Sequence, residues 1–463
     1  MLMKLLWSRA HLILAVLILL NLLSTANAAD LITVLNAAQT HDLDFLAAQS
    51  THDAGMTKHD QANSLWRPDI SIQGGAGRMD QQTQTTGAQF VQNGIPGIAN
   101  FNTSINQGTY NMWAINIRQP IYNGDRLAQS KTLDLQANIA ELEWQAAQQD
   151  FILRLVKKYF DVSMALETLK TTQDQLLAVQ KMQAEAQARY KLGDAPILDL
   201  HEATAKLDGL KAQLLAAQSD LEIKQSALSD ATGIGIDDLK VMIPTAGEVV
   251  FDHKPFDYWL TQVISGNPQL LLSQNQLNQA RQNVKRYHLL SSPSLDLVGQ
   301  VNDTHVYGSG DYGPNASNLN RDAIIGLQLT IPIYNGGMRV AKENEAVHLV
   351  DANLDKTNRV RQQVSLQAKQ AYLGLTMGAS RVNALKAAWL ASETRKRATE
   401  VGRKVGDRST LDLLNAESDA ANAHLNWISA RIDFLLNELN LAALSGQLTV
   451  DQIKSVNNTL QTF

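Results

Sequence analysis

A mainly helical fold with a small β part, laid out twice along the chain, is what this sequence of 463 residues predicts. Three observations carry that expectation. The run Pro120-Ile121-Tyr122-Asn123-Gly124 returns letter for letter as Pro332-Ile333-Tyr334-Asn335-Gly336. Ahead of each copy the apolar residues alternate, and behind each they recur at three-four spacing, so each motif is a junction where a strand runs directly into a helix. Other pairs keep step with it: Gly193-Asp194 through Asp199 with Gly406-Asp407 through Asp412, Ala231-Thr232-Gly233 with Leu444-Ser445-Gly446, Trp66-Arg67-Pro68 with Ser291-Ser292-Pro293, and His41-Asp42-Leu43 with Gly266-Asn267-Pro268. The period is far longer than that of a solenoid. It reads as a tandem duplication of a half-protein.

Taken in order, residues 1–28 hold Lys4 and Arg9, an apolar run from His11 to Leu20, and Ala26-Asn27-Ala28. These are the charged, apolar and small-residue regions of a secretory signal peptide. The first repeat then covers 29–233, a mixed linker 234–255, the second repeat 256–446, and a C-terminal segment 447–463.

Residues 30–66 read as a helix. A strand from Pro68 to about Met79 and another from Tyr110 to Gln119 flank a long polar loop over 81–109, making a hairpin within 68–119. The second repeat supplies its own hairpin within 293–333, with a polar loop over 302–321. In both, one face is apolar: Trp113, Ile115 and Ile117 in the first, Leu327 and Leu329 in the second. Ten-residue alternating strands suit an outer-membrane barrel. Trp66, Tyr122, Tyr287 and Tyr334 then stand at one membrane surface as interface aromatics. Pro120, Gly124, Pro332 and Gly336 form the strand-helix junctions, the Pro ending the ladder and the Asn-Gly pair making a sharp turn. Four strands do not close a barrel, so an oligomer is expected.

The helices say the same. No proline interrupts the run from Asn123 to Lys191, which would reach roughly 100 Å as one helix. Seams with three-four spacing run through Ile139 to Ser163, Leu200 to Leu228, and Leu411 to Ala442, with small residues among the leucines, as in close multi-helix coiled coils. The linker, with Pro244 and Pro255, is expected on the outside of these helices.

Composition narrows the function. Cysteine is absent, which removes disulfides, thiolate metal sites and an acylated cysteine anchor. The net charge of −5 gives no basic footprint for nucleic acid. His41, His52, His59, His201, His253, His288, His305, His348 and His424 show no metal-ligand spacing, and no nucleophile-elbow, Walker or dinucleotide motif occurs. No enzyme activity, cofactor or metal site is expected.

With these residues in view, the chain resembles the TolC family of outer-membrane efflux and secretion channels. The match is carried most specifically by Ile331 to Met338 and Val405 to Leu414. The resemblance implies a trimeric outer-membrane β-barrel, four strands per chain, continued by a long periplasmic α-helical coiled-coil barrel. It implies an exit duct for an inner-membrane pump or ABC transporter with a periplasmic adaptor, carrying small molecules or secreted protein. It also places the periplasmic gate at the two Gly-Asp turns, with Asp199, Arg403, Arg408, Asp412 and Asn415 at the constriction. Arg403, Leu198 and Asn415 stand where the family pattern has a tyrosine, a threonine and an acidic residue. The residues alone leave alternatives: helix capping by Ser409 and Asp412 in place of a gate, a half-buried sheet of a soluble domain in place of barrel strands, and a structural or adhesive trimeric coiled-coil protein anchored in the outer membrane, or more distantly a soluble periplasmic enzyme, in place of a duct.

Overall fold

The computed structural model describes residues 30–239, 241–245, 254–311 and 313–460; the expected signal segment and His253 lie outside them. The chain divides into two compact units, one drawn from 1–53, 141–273 and 357–463, the other from 54–140 and 274–356.

Helices α1 (Leu31–His41) and α2 (Leu43–Ser64) occupy the stretch expected to be one helix. The break falls at Asp42, whose carboxylate accepts the Phe45 amide at 2.9 Å and so caps α2. A short polar side chain that bonds its own backbone competes with helix continuation. The second repeat breaks identically. Asn267 separates α5 (Phe256–Gly266) from α6 (Pro268–His288) and accepts the Leu270 amide at 3.0 Å.

Helix α3 (Gly124–Leu192) is unbroken over 69 residues, and α7 (Met338–Lys404) over 67. Each is followed by a shorter partner, α4 (Ile197–Thr232) and α8 (Thr410–Leu444). In the first unit α3 buries Phe151, Leu155, Val156, Tyr159 and Phe160 against Trp427, Ile428, Phe434, Leu435 and Leu439 of α8. Full burial of each such side chain is worth about 1.5–3 kcal/mol. On α4 the expected seam is the buried stripe, with Ala203, Leu207, Leu210, Ala217, Leu221 and Leu228 facing inward, whereas Leu411 at the start of the α8 seam is exposed.

The linker departs from expectation. Leu239 and Val241 enter this core, the Tyr159 hydroxyl accepts the Met242 amide at 2.9 Å, and Ser163 donates to the Met242 carbonyl at 2.9 Å. Among the described linker residues Ile236 stays exposed. The final helix, α9 (Val450–Asn457), returns to α1, where the Asn457 side chain accepts the Leu31 amide at 3.0 Å.

The second unit holds the sheet. Strands β1 (Asp69–Gln92), β2 (Ile95–Asn123), β3 (Ser294–Gly310) and β4 (Gly313–Thr330) lie in the order β1-β2-β3-β4, all antiparallel. The two hairpins therefore join through β2 and β3. The polar loops expected over 81–109 and 302–321 are instead strand. Gln, Thr, Asn and Ser carry no hydrophobic alternation, yet a ladder needs only backbone donors and acceptors.

Candidate functional site

The repeated motif adopts two geometries. In the first copy β2 ends at Asn123 and α3 starts at Gly124 without a connector. The Asn123 side chain caps the helix by accepting the Arg126 amide at 3.0 Å. Gly124 is there for room: a Cβ on it would lie 2.3 Å from Ser292 Oγ. Pro120 does not end the ladder, as expected, but pairs with Asp296, and a register shift between Pro120 and Tyr122 absorbs its missing donor. In the second copy β4 ends at Thr330, Gly336 and Gly337 take φ of 66° and 85°, and α7 begins only at Met338. The sharp turn predicted for both copies exists only here.

The sheet has two chemically distinct faces. Ile70, Ile117, Gly299 and Ile325 form one cross-strand row, and Ile72, Ile115, Val301 and Ala323 the next. Leu297 pairs with Leu327 and Leu295 with Leu329 on the same face, and most of these side chains are exposed. The opposite face is mostly polar, with Ser71, Asn116, Gln300 and the exposed Ile324 in one row and Gln73, Ala114, Asn302 and Asp322 in another. There Arg118 Nε meets the buried Asp296 carboxylate at 3.0 Å. Trp66, Tyr122, Tyr287 and Tyr334 all stand at the end of the sheet where β1 and β3 begin and β2 and β4 finish. Tyr334 is 85% exposed, Trp66 is tied by Gln119, which donates to its carbonyl at 2.9 Å, and Lys342 Nζ lies 5.5 Å from the Tyr287 ring centre.

In the first unit, two turns join the long helices to their partners. Both close alike, with Gly193 and Gly406 at φ of 79° and 85°. The Asp194 amide reaches the Arg189 carbonyl, the Asp407 amide the Gly402 carbonyl, and the pattern is the Schellman helix stop. Beneath them Val179, Met182, Ala203, Leu207, Leu210, Leu413 and Leu414 make a separate core.

The predicted polar residues are partly brought together. Thr410 donates to Asp199 at 3.3 Å, linking α4 to α8. Asp412 forms a complete capping box: its amide donates to Ser409 Oγ at 3.0 Å and its carboxylate accepts the Ser409 amide at 3.0 Å. That amide holds the Asp412 carboxyl below its ordinary value. Arg403 pairs within the chain with neither Asp199 nor Asp412, but with Glu185 at 2.7 Å, its own side chain only 10% exposed. The guanidinium holds the Glu185 carboxyl down. Arg408 and Asn415 are exposed.

Glu185 was missing from the sequence-predicted set. It flanks the buried Met182 and Ala186 on α3, the position beside a seam where coiled coils place pairing charges, and that register was a usable signal. Among the described residues no cluster of His, Asp and Glu could hold a metal ion.

Known proteins with this arrangement are readily found. Residues 34–234 and 259–447 match the profile described as "Outer membrane efflux protein". The chain is 27% identical over 441 residues to outer membrane protein TolC of Vibrio cholerae, covering 94% of each. It is 21% identical to the alkaline protease secretion protein AprF of Pseudomonas aeruginosa, covering 93% of this chain and 87% of that one. The crystal structure of outer membrane protein VceC from Vibrio cholerae superposes with a TM-score of 0.67 at 17% identity, over 90% of this chain and 96% of that chain.

Proposed function

Because the chain belongs to the outer membrane efflux protein family, we infer that three copies assemble into a passive duct through the outer membrane. It is an outer-membrane channel protein, and its kin are efflux and secretion channels. The observation that carries the trimer is the sheet. Its apolar face suits lipid, its polar face suits water, and β1 and β4 are open edges. Unpaired backbone groups in hydrocarbon cost several kcal/mol each, so the edges must meet those of other copies. Three sets of four strands close a barrel. The adhesive alternative falls with the family membership.

The partners follow from the same reading: two further copies of the chain, outer-membrane lipid around the barrel, and a periplasmic adaptor with an inner-membrane pump or ABC transporter supplying energy and cargo. Residues 29–233 and 256–446 act as two repeats joined by 234–255. Trp66, Tyr122, Tyr287 and Tyr334 serve as the girdle at the periplasmic surface of the membrane.

The gate reading places Asp199, Arg403, Arg408, Asp412 and Asn415 at the narrow periplasmic end. Support comes from the paired turns and their charge. Arg403 is held by Glu185, which leaves Arg408 and Asp412 exposed at the tip. Mass measurement in mild detergent and single-channel recording in a planar bilayer test the whole. A trimer that conducts is expected; a stable monomer overturns it.

A further inference from the structure

Beyond the β3–β4 turn the first hairpin continues alone. The last pair between β2 and β3 is Asn106 with Ser309, whereas β1 and β2 stay paired from Gln81 and Ile105 out to Gln92 and Ile95. This ribbon closes in Asn93-Gly94 with φ of 51° and 81°, the geometry of a tight type I′ hairpin. At about 3.3 Å per residue it reaches roughly 40 Å past the second hairpin.

Its composition is unusual for such an exposed element. No charged residue stands between Asp80 and Arg118. Among the described residues neither edge of the ribbon has a strand partner, and Phe90, Val91, Ile95, Ile98 and Phe101 are exposed at its end. A lone two-stranded ribbon is marginal in water, and free edges are ordinarily guarded by charge. The second hairpin follows that rule, with Asp311 at its turn and Asp303 bound to Arg321 at 2.7 Å.

The ribbon also has a direction. Gln107 takes φ of 49°, its amide donates to the Asp80 carboxylate at 2.5 Å, and the ladder shifts register between Met79 and Gln81 and between Asn106 and Thr109. Bulges of this kind at a barrel rim re-aim a strand. Gly308 lies on the polar face, in the same strand register as Val306 and Asn302. A Cβ there would lie 2.9 Å from Ile105 Cγ2, and one at Gly108 would lie 2.8 Å from the same methyl. Ile105 and Val306 are 5% and 3% exposed. The base of the ribbon is folded over the polar face.

We propose that this ribbon is a lid across the external mouth, and that its apolar end is covered by the same ribbon of the other two copies. The proposal rests on the barrel reading, in which the polar face lines the duct. Twelve strands about 4.8 Å apart and tilted near 40° make a barrel of roughly 12 Å radius. The ribbon is longer than the distance to the axis. Three of them meet there without like-charge repulsion, burying Phe90, Val91 and Ile95 and offering Gln, Asn and Thr side chains to one another. Cargo parts them.

The cysteine-free chain gives a clean test. Val91→Cys in outer membranes is expected to join copies through a short bis-maleimide, while Asn315→Cys in the second hairpin's turn is not. Replacing residues 83–103 by Asn-Gly is expected to raise single-channel conductance several-fold at unchanged trimer mass. Val91→Lys, which gathers three like charges, is expected to raise it more at low salt than at high salt. Trimers in which Val91→Cys stays uncrosslinked and neither other variant alters conductance overturn the lid alone. A chain that is monomeric in detergent overturns the barrel reading as well.

Discussion

One five-residue motif occurs twice, and the two copies are not alike. After β2 the motif is locked: Asn123 caps α3 at once and Gly124 lies against Ser292. After β4 the same letters are loose, with Ile333 96% and Tyr334 85% exposed. The difference lies in the neighbours. β2 is flanked by β1 and β3, whereas β4 has a partner on one side only. Identical local sequence has taken the structure its surroundings impose, and the exposed copy is the one that a second chain would complete.

The largest test of this contrast is on the open strand. Leu327→Arg should cost about 2–4 kcal/mol of assembly near the membrane midplane, read as loss of trimer by mass measurement in mild detergent. Gln328→Arg, on the polar face, should be mild. Equal defects would place the register one residue off.

Next come the two glycines. Gly124→Ala is expected to cost about 1–3 kcal/mol by crowding, and Ser292→Gly to relieve part of it. Gly336→Ala, strained by its left-handed φ, is expected to lose about 1–2 kcal/mol with no relief from Ser292→Gly. Thermal melting of the three single and two double variants reads both. Relief at both glycines would mean that the copies share one geometry after all.

The helical turns carry a smaller contrast. Ser409 caps α8, while Pro196 gives α4 no side-chain cap. Ser409→Ala should lower local stability by about 1 kcal/mol, seen as faster amide exchange over the first turn of α8 only. The Asp412 carboxyl, held below its ordinary value by the Ser409 amide, adds stability above that ordinary value and loses it as pH falls through the folded one. Protection factors in that turn, taken relative to the intrinsic rate at each pH, should therefore fall on acidification.

Smallest in energy is the Arg403–Glu185 pair, partly exposed and worth about 0.2–1 kcal/mol. Threefold repetition lets so small a bias matter for a closed population. Arg403→Ala with Arg408→Ala is expected to raise conductance at low salt, and Asp412→Ala to weaken block by multivalent cations from the periplasmic side. The Glu185 carboxyl is held down by Arg403, so the pairing persists above its ordinary value and disappears as pH falls through the lowered one. Acid should thus reproduce part of the double variant's effect. Unchanged conductance and block, with trimers intact, would leave these residues as caps and ties.

The sequence carried the long helices, their buried stripes and the apolar face of each hairpin, because all three write a period into hydropathy. It did not carry the ribbon over residues 81–105, where uncharged polar residues pair by backbone alone. Nor did it show the helix breaks. The repeat alignment makes Asp42 and Asn267 equivalent, but their side-chain capping is a geometric act that composition does not announce. Arg403 was picked out while its partner was missed, since Glu185 lies on a different helix and only packing brings the two together.

The bond from the Leu31 amide to Asn457 spans 426 residues of chain, and Asp30 accepts from the same side chain at 3.2 Å. A polypeptide emerging in order from its N-terminus can pack α1 on α4, where His41 lies against Gly233, once about half of it has appeared, but the tie to α9 waits for almost all of it. Closing so long a loop is an entropic cost met before its contacts repay it. Completion of this unit is therefore a late event, and until then the end of α1 that α9 covers stays open. A truncation just short of Asn457 should reveal that dependence as prolonged protease sensitivity of α1, well before any effect on the sheet.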